Sequence, residues 1–185
     1  MTSNTEAAQT ITPEYLAQAI RSATDAVCTT MLNLTATPGE VFVEKEEAVP
    51  SSGVVSLIGL AGDWVGSGSV ACSAGCAAKL ASALLMTSYE GINEDVLDAV
   101  AEVTNMIIGN VKTELEARVG PMGLSTPTVI YGRNFQTRSS GNQEWTVVPF
   151  TVEDERLCVQ VCIAPNSDPA KKTTRTFPMP HLVNT

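Results

Sequence analysis

The chain has 185 residues, of which 44% are hydrophobic, 17% charged and 5% aromatic, and this composition predicts one globular domain with a mainly aliphatic core. Its formal net charge is −9; because an acidic surface repels phosphate backbones and anionic lipids, we expect neither nucleic acid nor a membrane as a partner. The polar N-terminus lacks the pattern of a secretory signal and no segment is apolar enough to span a bilayer, so a cytoplasmic protein is predicted.

The first predicted helix follows a polar segment, residues 1–11, that we expect to be disordered. Thr12 suits the capping position and Pro13 the first turn, and the helix is predicted to end near Leu32. Apolar residues at helical spacing predict its buried face: Leu16, Ile20, Ala23, Val27 and Met31.

The rest of the chain alternates between β-rich and helical segments. Residues 37–39, Thr-Pro-Gly, are predicted to break the chain, 136–143 to form a polar loop, and 165–185 to form a mobile tail outside a domain over 12–164. Strands are predicted over 40–48, 54–60, 66–72, 128–131, 144–150 and 156–163, and helices over 73–86 and 94–119. Because the strands follow one another as hairpins, we predict an α+β fold, an antiparallel sheet with two long helices and a shorter helix packed on it.

Histidine and cysteine limit the chemistry. The only histidine, His181, lies near the C-terminus in a Pro-rich segment, so nucleophilic catalysis through a Ser-His or Cys-His pair is not expected. No histidine lies beside the C-x-x-x-C pairs, which predicts buried structural thiols and neither disulfides nor a metal site. The five cysteines are Cys28, Cys72, Cys76, Cys158 and Cys162.

The longest predicted helix, capped by Asn93, carries an apolar stripe and a polar stripe. The apolar stripe predicts the core face and consists of Val96, Val100, Val103, Ile107, Val111 and Leu115. The polar stripe, in steps of three and four residues, consists of Asp98, Glu102, Asn105, Gly109, Lys112 and Glu116. Like charges one turn apart and an interior glycine both weaken a helix, so Gly109 suggests the close approach of a neighbouring helix or of a partner protein. Such a stripe is usually a solvated face and does not by itself identify a function.

Several motifs together resemble the CheC/CheX/FliY phosphatase family. Asp98-x-x-x-Glu102-x-x-Asn105, with Pro127 about twenty residues later, is similar to the family signature D/S-x-x-x-E-x-x-N…P. The runs N-M-I-I-G-N from Asn105 and T-P-T-V-I-Y-G from Thr126, and the G-S-G-S-V strand before an Ala-rich helix, are also similar, and the resemblance extends over about residues 12–164. On the first helix, Asp25 and Cys28 occupy the Glu and Asn places, so a second site is expected to be inactive, as in a CheX-like member.

This resemblance implies a phosphatase that hydrolyses the aspartyl phosphate of a CheY-like response-regulator receiver domain. Asn105 would position the attacking water and Glu102 would pair with a receiver lysine. Asp98, Gly109 and Lys112 would support partner binding, and Pro127 would shape the adjacent strand. The resemblance implies a homodimer and no cofactor of its own, because the receiver brings Mg²⁺.

Two alternatives stay open. One is a non-catalytic receiver-binding module, similar to a flagellar switch protein. The other is a small-molecule sensor in which the hairpin at Gly66 and the Cys72/Cys76 pair line a pocket. The intact Glu102/Asn105 pair favours the phosphatase over the first alternative, and the second is disfavoured because no polar residues converge on that pocket in the sequence.

Overall fold

In the computed structural model, the described residues are 11–44, 52–133, 136–138, 144–167 and 181–183. The helices are α1 (Pro13–Val27), α2 (Ala74–Leu85) and α3 (Glu94–Val119), and a π-helical turn, Cys28–Leu32, extends α1. The strands are β1 (Ala36–Pro38), β2 (Phe42–Glu44), β3 (Ser52–Gly62), β4 (Trp64–Cys72), β5 (Met122–Leu124), β6 (Thr128–Arg133), β7 (Gln136–Arg138), β8 (Trp145–Val152), β9 (Glu155–Pro165) and β10 (His181–Val183).

Each of the three helices begins at the polar residue that the sequence predicts as its cap. A side-chain oxygen at this position accepts a hydrogen bond from a backbone N–H that has no partner within the helix. The caps and the donors are Thr12 with Tyr15 N at 3.3 Å, Ser73 with Cys76 N at 3.0 Å and Asn93 with Val96 N at 2.9 Å. The predicted starts of the helices are therefore confirmed.

Eight of the described strands form one antiparallel sheet. Its order is β1-β8-β9-β4-β3-β5, with β2 also paired to β8 and β6 also paired to β3. The short strands β1 and β2 therefore lie at one edge, and β5 and β6 at the other. β7 and β10 pair separately, with His181 opposite Arg138.

The three helices pack on one face of this sheet, as the α+β prediction requires. The largest buried cluster joins this face to all three helices, and it includes Ile20, Val54, Val70, Leu80, Ile107, Val148 and Val159. Two smaller clusters lie on the other face of the sheet. One contains Val55, Leu57 and Ala71, and the other contains Trp145, Val147 and Cys162.

Gly68 in β4 lets α3 lie close to the sheet. A Cβ atom at this position would be 2.7 Å from Cδ1 of Ile108, closer than carbon atoms approach without a shift. Gly68 therefore serves the packing of α3 onto the hairpin, and it sets how close to the sheet the helix with the polar stripe lies.

The predicted buried face of the first helix is wrong at its end. Met31 is 56% exposed, whereas Cys28 and Leu32 are buried. The cause is the π-helical turn, because its wider hydrogen-bond spacing shifts the side chains relative to the regular α-helical period.

Four short strands lie where the sequence predicted other structure or none. β1 lies at the predicted chain break, β5 was not predicted, β7 lies in the predicted polar loop, and β10 lies in the predicted mobile tail. The strand predicted over 40–48 begins only at Phe42, in β2, and Glu40 and Val41 precede it without strand structure. Ile11, predicted as disordered, packs against the core. Residues 1–10, 45–48, 139–143, 168–180 and 184–185 of these predictions lie outside the described residues.

Within the described residues, no helix has the length and apolarity to cross a membrane.

Candidate functional site

The first half of the polar stripe of α3 faces solvent as predicted, whereas Gly109, Lys112 and Glu116 are half-buried. Asp98, Glu102 and Asn105 are all exposed. The apolar stripe on the other side is completely buried: Val96, Val100, Val103, Ile107, Val111 and Leu115 are each 0% exposed. The amide of Asn105 and the carboxylate of Glu102 therefore lie on the same open side of one helix, accessible to another protein.

The helix that presents these groups is held firmly by its neighbours. The hydroxyl of Tyr15 in α1 donates a hydrogen bond to the carbonyl oxygen of Glu114 at 3.2 Å. The guanidinium of Arg118 lies 3.7 Å from the centre of the Tyr15 ring, a cation–π contact. α3 is thus anchored to α1 near its C-terminal end and to the sheet through Ile108, which makes it a rigid support for the exposed residues.

Gly109 lies in the middle of the polar stripe with space around it. A Cβ atom at this position would have Cδ1 of Leu124 as its nearest neighbour, at an ordinary van der Waals distance of 3.9 Å. No neighbouring helix among the described residues requires a glycine here, so that interpretation of Gly109 is wrong. The approach of a partner protein stays a prediction.

Lys112 forms an ion pair within the chain. Its ammonium lies 2.8 Å from Oε1 of Glu116, and the same oxygen accepts a hydrogen bond from the backbone N–H of Met122 at 2.8 Å. The pKa of Glu116 is lowered, first by the hydrogen bond from Lys112 and then by the one from Met122. Lys112 therefore helps to hold α3 to the start of β5, and its part in partner binding stays a prediction.

Pro127 lies half-buried between β5 and β6. The preceding loop is fixed by Ser125, whose Oγ accepts a hydrogen bond from Gly59 N at 2.8 Å and whose N–H donates to Gly59 O at 3.0 Å. These bonds set where β6 joins the sheet. No local pattern in the sequence points to Ser125, because its partner lies 66 positions away.

The corresponding place on α1 does not offer a second exposed pair. Asp25 is exposed, whereas Cys28 is buried at 0%. Burial, with smaller contributions from Cys76 and Asp25, raises the pKa of the Cys28 thiol to about 11. α1 therefore presents a carboxylate with no amide beside it.

The cysteines and a cavity at the edge of the sheet lie apart from the polar stripe. No disulfide joins any of the five cysteines, and no cluster of histidine, cysteine or acidic residues among those described could hold a metal ion. A cavity of about 380 Å³ opens at the other edge of the sheet, and Cys72 and Cys76 do not line it. Its lining is Thr37, Pro38, Gly39, Pro149, Phe150, Thr151, Arg156 and Cys158.

Known proteins that this chain resembles include chemotaxis proteins. The family described as "Chemotaxis phosphatase CheX" matches residues 54–151, a segment that contains the whole polar stripe and Pro127. None of the curated proteins matches the chain.

Solved structures agree with this match over most of the chain. The chemotaxis protein CheX from Desulfovibrio desulfuricans is 30% identical, with a TM-score of 0.72 over 80% of this chain and 99% of its own. CheX from Vibrio vulnificus is 25% identical, with a TM-score of 0.72 and the same two coverages. CheX from Borrelia burgdorferi, solved in a complex with CheY, BeF3 and Mg²⁺, is 26% identical, with a TM-score of 0.67 over 79% of this chain and 96% of its own. Because the family match spans more than half of the sequence and the fold agrees with these structures, the chain belongs to the CheX family of chemotaxis phosphatases.

Proposed function

We propose that this protein accelerates the hydrolysis of the aspartyl phosphate on a CheY-like receiver domain. The observation that carries the proposal is the exposure of Asn105 together with Glu102 on one side of α3. The complex of the Borrelia burgdorferi relative with CheY, BeF3 and Mg²⁺ supports a receiver domain as the partner.

Asn105 has the chemistry needed to position a water molecule. Hydrolysis of an acyl phosphate requires a water in line with the phosphorus, and catalysis of phosphoryl transfer depends mainly on positioning and charge stabilisation. A carboxamide accepts a hydrogen bond through its oxygen and donates through its nitrogen. Being neutral, it also enters the neighbourhood of an anionic phosphoryl group without charge repulsion.

Glu102 fixes how the two proteins dock in this proposal. It lies three residues before Asn105, so the two side chains start about 5–6 Å apart on the same helix face. An ion pair between Glu102 and the active-site lysine of the receiver sets the position of the Asn105 amide, and Asp98 extends the acidic surface by one turn. The Mg²⁺ belongs to the receiver.

The test is phosphate release from a phosphorylated receiver, with wild type beside Asn105→Ala and a matched control, Asn110→Ala. Asn110 is exposed on the same helix but points away from the polar stripe. We expect Asn105→Ala to lower the acceleration by about 100-fold or more, the usual effect of removing a group that orients the reaction, and Asn110→Ala to leave it unchanged. Equal turnover of all three proteins would refute the catalytic assignment.

Binding measured with a BeF3-activated receiver separates catalysis from docking. Asn105→Ala should bind nearly as well as wild type, whereas Glu102→Gln should bind more weakly because it loses the ion pair. A wild-type protein that binds the receiver without accelerating hydrolysis would instead be the non-catalytic module. The homodimer that the family resemblance implies stays a prediction, which sedimentation of the purified protein measures.

A further inference from the structure

Tyr131 is an exposed aromatic residue at the edge of the sheet next to α3. It lies in β6 and is 52% exposed, although a tyrosine in a strand usually packs much of its ring against neighbours. The sequence pattern places it in a strand and suggests no role for it.

The strand register places Tyr131 on the helix-bearing face of the sheet. Tyr131 is directly opposite Val54 in β3, and residues directly opposite each other in an antiparallel pair point to the same side. Val54 belongs to the main core beneath the helices, as does Val129, two residues before Tyr131. Ile130, between them, packs instead against the cluster on the other face.

The level of Tyr131 along the sheet matches the first part of the polar stripe. Met122, three residues after the end of α3, pairs with Gly62 at the end of β3. The C-terminal ends of α3 and β3 therefore lie close together, and the two elements run in the same direction. Ile108 lies over Gly68, which is opposite Ile58.

Counting back from this point gives the position of Tyr131. Val54, its partner, lies four residues before Ile58, or about 13 Å along a strand, and this length equals about nine residues of helix. Tyr131 is thus level with about residue 99 of α3, in the turn between Asp98 and Glu102.

The polar stripe also faces this edge. The nearest neighbour of the Gly109 position is Leu124 in β5, which shares the edge with β6. The exposed side of α3 and the Tyr131 ring therefore border the same surface, and any protein docked on Asp98 and Glu102 meets this edge of the sheet.

The chemistry of this border favours a cation. The face of an aromatic ring attracts an ammonium or guanidinium group, and the Asp98 carboxylate is exposed on the adjacent helix turn. An apolar partner surface would cover the carboxylate without pairing it, which is costly, whereas a lysine or arginine satisfies both groups.

We propose that Tyr131 is a specificity-determining contact of the docking surface, and that its ring receives a lysine or arginine side chain of the receiver whose charge is met by Asp98. This inference rests on the proposed function for the identity of the partner. Tyr131 would be a contact outside the Glu102/Asn105 pair. It would therefore contribute to recognition of the receiver and leave the chemical step unchanged.

The test compares two exposed aromatic residues at opposite edges of one sheet. Phe42 in β2, 39% exposed, is the matched control for Tyr131. Threonine suits strands, so Tyr131→Thr and Phe42→Thr remove each ring with little effect on the fold, and thermal unfolding checks this. If the threonine variant is unstable, Tyr131→Lys replaces it in the same test, because lysine is common on edge strands.

We expect Tyr131→Thr to raise KM for the phosphorylated receiver by about five- to tenfold with kcat unchanged. The reason is that the cation–π contact stabilises the bound receiver equally before and during the chemical step. Tyr131→Phe, which keeps the ring, should retain a KM close to wild type, and Tyr131→Lys should raise KM further through repulsion. Phe42→Thr should match wild type.

Either of two results would overturn the inference: the same KM for Tyr131→Thr as for Phe42→Thr, or a change of oligomeric state in Tyr131→Thr that accounts for its loss of activity. The second would make this edge a contact between copies of the chain. Binding of a BeF3-activated receiver to the same variants keeps this test separate from the catalytic one. Weaker binding by Tyr131→Thr supports the docking contact even if Asn105→Ala proves fully active, and unchanged binding refutes it even if Asn105→Ala is inactive.

Discussion

Gly109→Ala should stabilise the fold while impairing function. A glycine inside a helix costs about 1 kcal/mol relative to alanine. The added methyl would have Leu124 Cδ1 at 3.9 Å as its nearest neighbour, so no clash offsets the gain. We therefore expect the free energy of unfolding to rise by about 1 kcal/mol, and the melting temperature by about 2–4 °C for a chain of this size.

The functional loss follows from where Gly109 lies on α3. It is one turn after Asn105 on the polar stripe, so a receiver seated on Asn105 passes close to the bare backbone of Gly109. A methyl group there would push the receiver outward, and a displacement of about 1 Å at a reacting centre costs up to about 100-fold in rate. We expect kcat/KM for receiver dephosphorylation to fall by at least about tenfold.

Circular dichroism melting and phosphate release on the same preparation give both readouts. Asn110→Ala is the control, because position 110 is next to Gly109 in the chain but lies off the polar stripe. Alanine has a higher helix propensity than asparagine, so this variant should be more stable by a few tenths of a kcal/mol and fully active. A Gly109→Ala protein that is more stable and fully active would show that the glycine gives the receiver no clearance. A less stable one would contradict the free space around Leu124.

Three further predictions concern the scaffold. Gly68→Ala should lower the free energy of unfolding in urea by about 1–3 kcal/mol, because its Cβ would overlap Ile108. Met86 is 93% exposed at the end of α2, and its φ of 53° is the left-handed conformation that suits glycine. Met86→Gly should therefore raise the free energy of unfolding by about 0.5–1 kcal/mol and increase the melting temperature. The pKa of Cys28 is raised from 9.0 to about 11, so the unfolded chain loses this proton first. Stability should therefore fall as pH rises from 9.0 to about 11, and less steeply in Cys28→Ala when urea midpoints are compared.

The features that sequence predicts well here are those set by neighbours along the chain. Thr12, Ser73 and Asn93 were identified as caps because the N–H that each one satisfies lies three residues ahead. The two stripes of α3 follow from the helical period alone. The apolar stripe is buried and the first half of the polar stripe is exposed as predicted, whereas Gly109, Lys112 and Glu116 are half-buried. Asp98, Glu102 and Asn105 of the family signature lie on the polar stripe, so the part of the proposed site that a single helix forms can be predicted from the sequence.

The features that sequence missed depend on distant partners. β5 has three residues and exists because it pairs with the end of β3, and β10 pairs with β7 across a long stretch of chain. The exposure of Tyr131 depends on which strand lies at the edge, and the sheet order is not written in any local pattern. The sequence therefore predicts the helix that carries the polar stripe and the strand β6, but not that β6 lies at the edge of the sheet beside this stripe.

The difference between α1 and α3 arises from packing as well as from residue type. On α1, position 28 continues the buried row of Ile20 and Thr24 at steps of four residues, and Cys28 is 0% exposed. An amide at this position would be buried away from water, and a buried amide without a partner is unfavourable. The same amide at position 105 is exposed because it lies on the side of α3 opposite the buried stripe, three residues after the exposed Glu102. The side of each helix that packs on the sheet is therefore what decides the outcome: it leaves position 105 open to a partner protein and places position 28 in the core.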